Sequence, residues 1–287
     1  MRPERPTNRP TVARRALAGL IGALGLFAAG PAAAQALGFI SQGDQPIFVE
    51  ADEGIEWHRD AQKYVARGKA SAIQGEVSVL AELLTAYYRE IPGGGTEIFR
   101  IDAEGAVRIA SARETATGDK AVYDVTGGVL VITGERVELV TPTDRIVAKD
   151  SLEYFVKKQL AVARGDAQAT RGNQHLKADV LMAHYRDGGG RQVSDLERVE
   201  AIGNVVIVTP EDVVQAQRGD YDPATGIARL AGEVKLTRGD TQLNGEVAEV
   251  DLNSGVSRLL GAARVGGGRE RVRGLFVPKS KPAPGGG

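Results

Sequence analysis

The chain has 287 residues, no cysteine, 37 glycines and 5% aromatic residues, with a formal net charge of −1. The absence of cysteine excludes disulfides, thiol catalysis and cysteine-ligated metals. Setting aside the five arginines and one glutamate of residues 1–36 leaves 31 basic and 36 acidic residues, a net charge of −5. An acidic body argues against nucleic acid as a partner, and the length fits one large all-β domain or two small ones.

Residues 1–36 predict a secretory signal peptide. Arginines up to Arg15 precede an apolar stretch over residues 16–30, and small residues then allow cleavage after Ala34 or Ala36. A retained membrane anchor is the alternative, but the apolar stretch is shorter than the roughly 20 residues that a spanning helix needs. The leader and the cysteine-free body together predict a protein exported to the bacterial periplasm.

From residue 37 to 262 the chain alternates short apolar runs with turn residues. The first strand follows Pro46, and a hairpin with its turn at Arg59-Asp60 comes next. The pattern predicts strands of about 5–8 residues. Leu83–Tyr88 and Ala178–Tyr185 have helical propensity, but both are equivalent to the plainly extended Ala121–Tyr123, so strands are predicted there too.

A glycine-led run recurs along this stretch. It begins at Gly68, Gly105, Gly165, Gly203 and Gly232, with a variant at Gly134, and successive copies start 29 to 38 residues apart. Such a period is typical of stacked units that are each too small to bury their own apolar face.

Alternation after each glycine predicts which side chains point inward. The second and fourth residues of the five regular copies are apolar or small. They are Ala70, Ala72, Val107, Ile109, Ala167, Ala169, Val205, Ile207, Val234 and Leu236. The residues alone leave two interpretations open: an ordinary packed sandwich core, or the wall of an apolar groove that holds lipid.

Four sequence signatures resemble those of the OstA-like (LptA) family. An acidic first strand, Ile47–Asp52, is followed by Tyr64–Ala70, which fits Y-x-A-x-G-x-A, and by Ala81–Tyr88. Ile101–Val107 and Leu196–Val205 carry a further I/V-x-A-x-G-x-V strand. The resemblance covers most of residues 45–260, and its specificity lies in the order and repetition of the motifs.

The resemblance implies an all-β fold, an elongated open β-jellyroll of stacked antiparallel strands. It implies a non-enzymatic carrier without cofactor that holds the lipid A acyl chains of lipopolysaccharide and helps to move it from the inner to the outer membrane. The ten inward residues become the lipid-binding candidates. The expected partners are lipopolysaccharide, further copies joined head to tail, and homologous jellyroll modules of inner- and outer-membrane transport components.

The chain is longer than a single-module member of that family would be. Two rounds of the repeat, divided near residue 160, are one interpretation, and a single long jellyroll is the other. Residues 263–287 are basic and rich in glycine and proline, which predicts a disordered tail.

An open jellyroll ends in unpaired strands, and these are candidates for assembly. The candidate edge residues are Ile47, Val49 and Ala51 at the start, and Val256 and Leu259 at the end.

No pattern points to catalysis or metal binding. His58, His175 and His184 are isolated in sequence, and acidic pairs such as Glu211-Asp212 are expected to lie in solvated turns. Catalytic and metal-ligating residues are therefore predicted to be absent. Two alternatives stay open: a structural β-solenoid without ligand, and a polysaccharide-active β-helix enzyme.

Overall fold

The computed structural model describes residues 46–186, 196–251, 254, 256–261 and 271–275. The predicted signal peptide, at residues 1–36, lies outside the described residues.

The described residues form eighteen β-strands and one 3₁₀ turn, at Val156–Lys158. The first nine strands are β1 (Phe48–Glu50), β2 (Gly54–His58), β3 (Lys63–Gln74), β4 (Val77–Glu90), β5 (Thr96–Ala110), β6 (Thr115–Asp124), β7 (Val129–Thr133), β8 (Val137–Val140) and β9 (Arg145–Ala148). The remaining strands are β10 (Ser151–Phe155), β11 (Leu160–Arg171), β12 (Gln174–Tyr185), β13 (Leu196–Val208), β14 (Val213–Asp222), β15 (Ile227–Arg238), β16 (Thr241–Asp251), β17 (Val256–Leu260) and β18 (Arg273–Leu275).

All the strand pairings are antiparallel and join into one continuous sheet. In four places two short strands lie side by side against one long strand. β1 and β2 pair with β3, and β7 and β8 pair with β6. β9 and β10 pair with β11, and β17 and β18 pair with β16. The predicted all-β jellyroll-like fold is thereby confirmed.

The recurring glycines lie inside the long strands, at bulges. Gly68 of β3 has φ +77° and the next residue, Lys69, has φ +43°. The same left-handed pair recurs at Gly105-Ala106, Gly165-Asp166, Gly203-Asn204 and Gly232-Glu233. The strand register shifts at each pair. A bulge of this kind bends the strand and increases its twist while the ladder continues on both sides.

A second constraint explains why each first position is glycine. A Cβ built on Gly105 would lie 2.8 Å from the Cβ of Glu82 on the neighbouring strand. The corresponding neighbours of the other repeated glycines are Glu53, Asp119, Asp150, Asp179 and Gln217. In the five regular copies, whose glycines have positive φ, only glycine combines this backbone conformation with room for the neighbouring side chain.

The predicted strand length of about 5–8 residues is wrong for most of the sheet. β5 has 15 residues and β4 has 14, and in β5 the bulge at Gly105 lets one strand continue on both sides of the glycine. At the variant glycine, Gly134, the strand does end, and β7 and β8 are separate elements. The strands predicted at Leu83–Tyr88 and Ala178–Tyr185 are confirmed within β4 and β12.

The bulges divide the sheet into two layers. Layer 1 is the half that contains β2, β7, β10 and β17, and layer 2 is the half that contains β1, β8, β9 and β18. The long strands belong to both layers. Inward side chains of the two layers form one hydrophobic cluster, which therefore runs along the whole sheet.

The sheet continues across residue 160, where β10 and β11 pair directly. Near the C-terminus, β18 pairs with Gln242–Asn244 of β16. This strand lies inside the stretch for which the sequence predicts a tail, so the sheet includes part of it.

Candidate functional site

The ten inward residues predicted from the repeat all lie in layer 2. Five of them directly follow a bulge, and the other five lie two residues further along the same strands. Eight of them are at most 5% exposed. These eight are Ala70, Val107, Ile109, Ala167, Ala169, Val205, Ile207 and Val234. Ala72 and Leu236 are half-buried and pack against the same cluster. The residues thus share one apolar interior, which their own side chains largely fill; their contact with lipid stays a prediction.

Layer 1 faces this interior with a row of tyrosines near the ends of alternate strands. The tyrosine row consists of Tyr88, Tyr123, Tyr154, Tyr185 and Tyr221, all buried. Burial is the main cause that raises the pKa of Tyr154 to about 12, with a smaller contribution from the nearby Glu114 carboxyl. The tyrosine of the third sequence signature is thus an interior residue, a role that sequence reasoning left unassigned.

The hairpin tips of layer 2 carry three buried acids: Glu114, Asp144 and Asp212. Glu114 and Asp144 lie close enough to Tyr185 of the tyrosine row to raise the pKa of its hydroxyl, after the larger effect of burial. The expectation that Glu211-Asp212 lies in a solvated turn is wrong for Asp212. Its carboxylate accepts two hydrogen bonds of 2.6 Å from Arg238 and is shielded from water. The cross-strand arginine was the signal that could have identified this pair.

At the end formed by β1 and β2, none of the described residues covers the interior. Val49 lies opposite Ala72, and Ile55 lies opposite the buried Ala66, so both point inward. Yet Val49 is 40% exposed and Ile55 is 53% exposed. Apolar side chains that face inward but meet water mark an open end of the core.

Aromatic side chains shape one side of this open end. Trp57 of β2 stacks on Tyr64 with ring centroids 5.8 Å apart, and Tyr64 contacts Tyr88 at 5.0 Å. The Trp57 indole N–H donates a 2.8 Å hydrogen bond to the Tyr88 hydroxyl. Trp57 is nevertheless 54% exposed, with the Arg59 guanidinium over its ring at 4.4 Å from the centroid, so part of its aromatic surface meets water at the end of the stack.

A small apolar cavity lies between the layers at the same end. It has about 40 Å³ of free space and is lined by Ile47, Ala72, Gln74, Val77, Val79, Leu84 and Ile101. Pockets that enclose a small-molecule ligand measure roughly 300–1,000 Å³. The cavity is therefore an opening into the core, and a lipid chain would have to separate the layers to advance further.

The two ends of the sheet are the β1/β2 edge and the β17/β18 edge. Val49 lies in β1, with Ile47 and Ala51 flanking it, and Leu259 lies in β17 opposite Ala248. Val256 begins β17 opposite Asp251. Both predicted edge segments are thus terminal in the sheet, and their role in assembly stays a prediction.

The three histidines lie apart in the structure as in the sequence. His58 contacts Glu56, His175 contacts Thr170, and the His184 ring lies 2.9 Å from Glu200. Among the described residues, no group of three or more histidine, aspartate or glutamate side chains is arranged to hold a metal ion. None of the helices within the described ranges could cross a membrane.

Comparison with known proteins assigns the family. Residues 145–256 match the family described as LptA/(LptD N-terminal domain) LPS transport protein. The chain is 30% identical over 144 residues to an uncharacterized protein of Rhizobium meliloti (strain 1021), covering 47% of this chain and 72% of that protein. The antiparallel strands, which form two layers around one apolar interior, define the class of the protein as all-β and jellyroll-like. The chain belongs to the LptA/LptD N-terminal domain family of lipopolysaccharide transport proteins.

A structural comparison also finds LptH of Pseudomonas aeruginosa, described as the LptA homologous periplasmic component of the conserved lipopolysaccharide transport device. The match has 11% sequence identity and a TM-score of 0.21, and covers 82% of this chain and 97% of LptH.

Proposed function

We propose that this protein is a periplasmic carrier that binds the lipid A acyl chains of lipopolysaccharide and helps to pass the lipid from the inner to the outer membrane. Its signal peptide would be removed after Ala34 or Ala36, and residues from 37 onward would act as one elongated module. No chemical step is assigned to it. The partners would be lipopolysaccharide, further copies of the chain, and homologous jellyroll modules of membrane-bound transport components.

The observation that carries this proposal is the uncovered apolar end at β1 and β2. Val49, Ile55 and Trp57 present inward apolar surface to water beside a cavity that leads into the core. Burying one methylene contributes about 0.8 kcal/mol, so an acyl chain gains substantially by replacing water there. The small side chains of Ala70, Ala167 and Ala169 further along the interior offer little steric obstruction once the layers separate.

Adjacent residues of β1 provide a matched test. Val49 points inward and Phe48 points outward, opposite Ile73, and both are exposed. Val49→Asp should weaken binding of fluorescent lipopolysaccharide at least about tenfold, because the carboxylate would lie among acyl chains. Phe48→Asp adds the same charge to the same strand and should leave the affinity unchanged. Equal losses in the two variants would contradict the assigned face.

A structural module without ligand is the second candidate, and the tight burial of eight of the ten predicted groove residues favours it. The two candidates differ in a binding experiment with the unaltered protein. Saturable binding of intact lipopolysaccharide, but not of its deacylated saccharide, supports the carrier. Absence of binding to both supports the structural module, and cleavage of the saccharide would support the enzyme alternative.

A further inference from the structure

Three hairpin tips of layer 2 have the same construction. They are Ser111–Glu114, Thr141–Asp144 and Thr209–Asp212. In each, the N–H of the first residue donates to the carbonyl of the fourth, at 2.9, 2.9 and 2.8 Å. The fourth residue is acidic and buried in all three. The tips can therefore be compared with one another position by position.

Two of the three acids are held by an arginine directly across the ladder. Arg171 donates two hydrogen bonds of 2.6 Å to Asp144, and Arg238 donates two of 2.6 Å to Asp212. Bidentate pairs of this kind are strong and geometrically specific. Each one ties a hairpin tip to the neighbouring long strand.

Glu114 has no such partner. The residue that the β6–β8 register places across from it is Thr141, which is not a cation. The Thr141 hydroxyl already accepts a 2.9 Å hydrogen bond from the Asp144 N–H. Glu114 is 2% exposed, and within the described part of the chain neither of its carboxyl oxygens has a hydrogen-bond partner. A buried carboxyl without a partner destabilises the arrangement that buries it.

Among the described residues, the surroundings of Glu114 offer no compensating charge. Tyr154 of β10 and Tyr185 of β12 are within its electrostatic range, and Tyr123 of β6 lies near Tyr154. The Asp144 carboxylate, near Tyr185, is already paired with Arg171. Arg113, on the same tip, is exposed. The tip Ser111–Glu114 thus lies near Tyr154 and Tyr185 of the tyrosine row, and its buried acid has no hydrogen-bond partner among the described residues.

We propose that the tip Ser111–Glu114 is a lateral gate, the hairpin tip that separates from the tyrosine row to open the interior. Separation returns the Glu114 carboxyl to water, whereas each of the other two tips is tied to its neighbouring long strand by a bidentate ion pair and cannot move independently of that strand. Behind the gate lie Ile109 and Ala116, both part of the core. That the opening admits acyl chains rests on the proposed lipid-carrier function; the opening itself does not.

The gate should open more easily as pH rises. Burial raises the pKa of Glu114 from an ordinary value of 4.5 to about 8 in the closed arrangement. Below pH 4.5 the carboxyl is protonated whether the gate is closed or open, and closure is most stable. Between pH 4.5 and 8 closure becomes progressively less favourable, because only the open state can ionise the group in water. Above pH 8 the effect is complete.

Hydrogen exchange of the three matched tips tests the gate without lipid. In the full mature chain, peptides that contain 111–115 should exchange at least about tenfold faster than those containing 141–145 or 209–213, after correction for intrinsic rates. The difference should be larger at about pH 8.5 than at about pH 5. Equal protection of the three tips at both pH values would overturn the proposal.

Two variants make the test specific. Glu114→Met keeps the length of the side chain and removes the carboxyl, so it should slow exchange of the first tip and abolish its pH dependence. Arg238→Met removes the ion pair at Asp212 and should make the third tip exchange fast and in a pH-dependent manner. An unchanged first tip in Glu114→Met would overturn the gate even if the mutant folds normally by circular dichroism.

Loading with fluorescent lipopolysaccharide then separates the gate from the carrier function. Slower loading of Glu114→Met than of the unaltered chain supports entry through the gate. If both chains load at the same rate while hydrogen exchange of the tips behaves as expected, lipid does not enter through the gate. The opening of the tip and the carrier function are then unaffected. Absence of loading in both chains contradicts the carrier function alone.

Discussion

At the residue scale, we expect the loss of one partner of the Asp212–Arg238 ion pair to destabilise the fold more than the loss of both. Asp212 is almost fully shielded, so Arg238→Met should leave a buried carboxylate without a partner and lower the free energy of unfolding by about 3–5 kcal/mol. The double variant Asp212→Leu/Arg238→Met removes both charges and should recover much of this loss. Urea denaturation of the purified chain measures both values.

A surface pair on the same strand serves as the control. Arg229 and Glu249 lie 3.0 Å apart with side chains 63% and 33% exposed. Because exposed pairs contribute about 0–1 kcal/mol, Arg229→Met should change the free energy of unfolding by less than about 1 kcal/mol. Similar losses in Arg229→Met and Arg238→Met would show that burial of Asp212 has no energetic role.

Alternation in the sequence was sufficient to predict which residues of the repeat face inward, because side chains of a strand alternate strictly between two faces. Alternation was not sufficient to predict that Glu114, Asp144 and Asp212 are buried. Turn residues are usually solvated, and only the pairing of distant strands buries these three acids. The burial that matters most for the gate therefore depends on the assembled sheet.

At the element scale, the bulges should be sensitive to any side chain at their first position. Gly105→Ala combines a positive φ with a Cβ only 2.8 Å from Glu82, so it should destabilise the fold by about 2–4 kcal/mol. Gly172 also has positive φ (+54°), but a Cβ there meets nothing within 4 Å. Gly172→Ala should therefore cost only about 1 kcal/mol. Thermal unfolding of the two variants compares them directly, and equal shifts would exclude the close approach of Glu82 as a cause.

The glycine repeat predicts β-structure and its period, but the predicted strands of about 5–8 residues are shorter than the bulged strands of the structure. Glycine indicates a turn more often than a bulge when sequence is the only information. The residue after the glycine also has positive φ, but its type does not indicate a bulge. It is Lys69, Ala106, Asp166, Asn204 or Glu233 in the five copies. Glu82, the acid that faces Gly105, belongs to the Ala81–Tyr88 signature. Its close approach to the glycine follows only from the pairing register of the two strands.

At the scale of the whole molecule, the sheet ends in two different edges. β1 and β2 form one and β17 and β18 form the other, so a contact between them is heterologous and can continue from copy to copy. Unpaired edges add further strands through their free backbone groups. The exposed inward residues Val49 and Ile55 would be covered when such a contact extends the core.

Proline substitutions at the two edges test whether assembly is head to tail. Val49→Pro removes a backbone donor from the first edge and Leu259→Pro removes one from the last, and edge positions tolerate this loss better than central ones. Each variant should be monomeric by light scattering at concentrations where the unaltered chain forms larger species. Mixed together, they should form a dimer and nothing larger, because each retains the edge that the other lacks. Far-ultraviolet circular dichroism verifies that both retain the sheet. An unaltered chain that is monomeric at every concentration, or a mixture that stays monomeric, contradicts head-to-tail assembly through these edges.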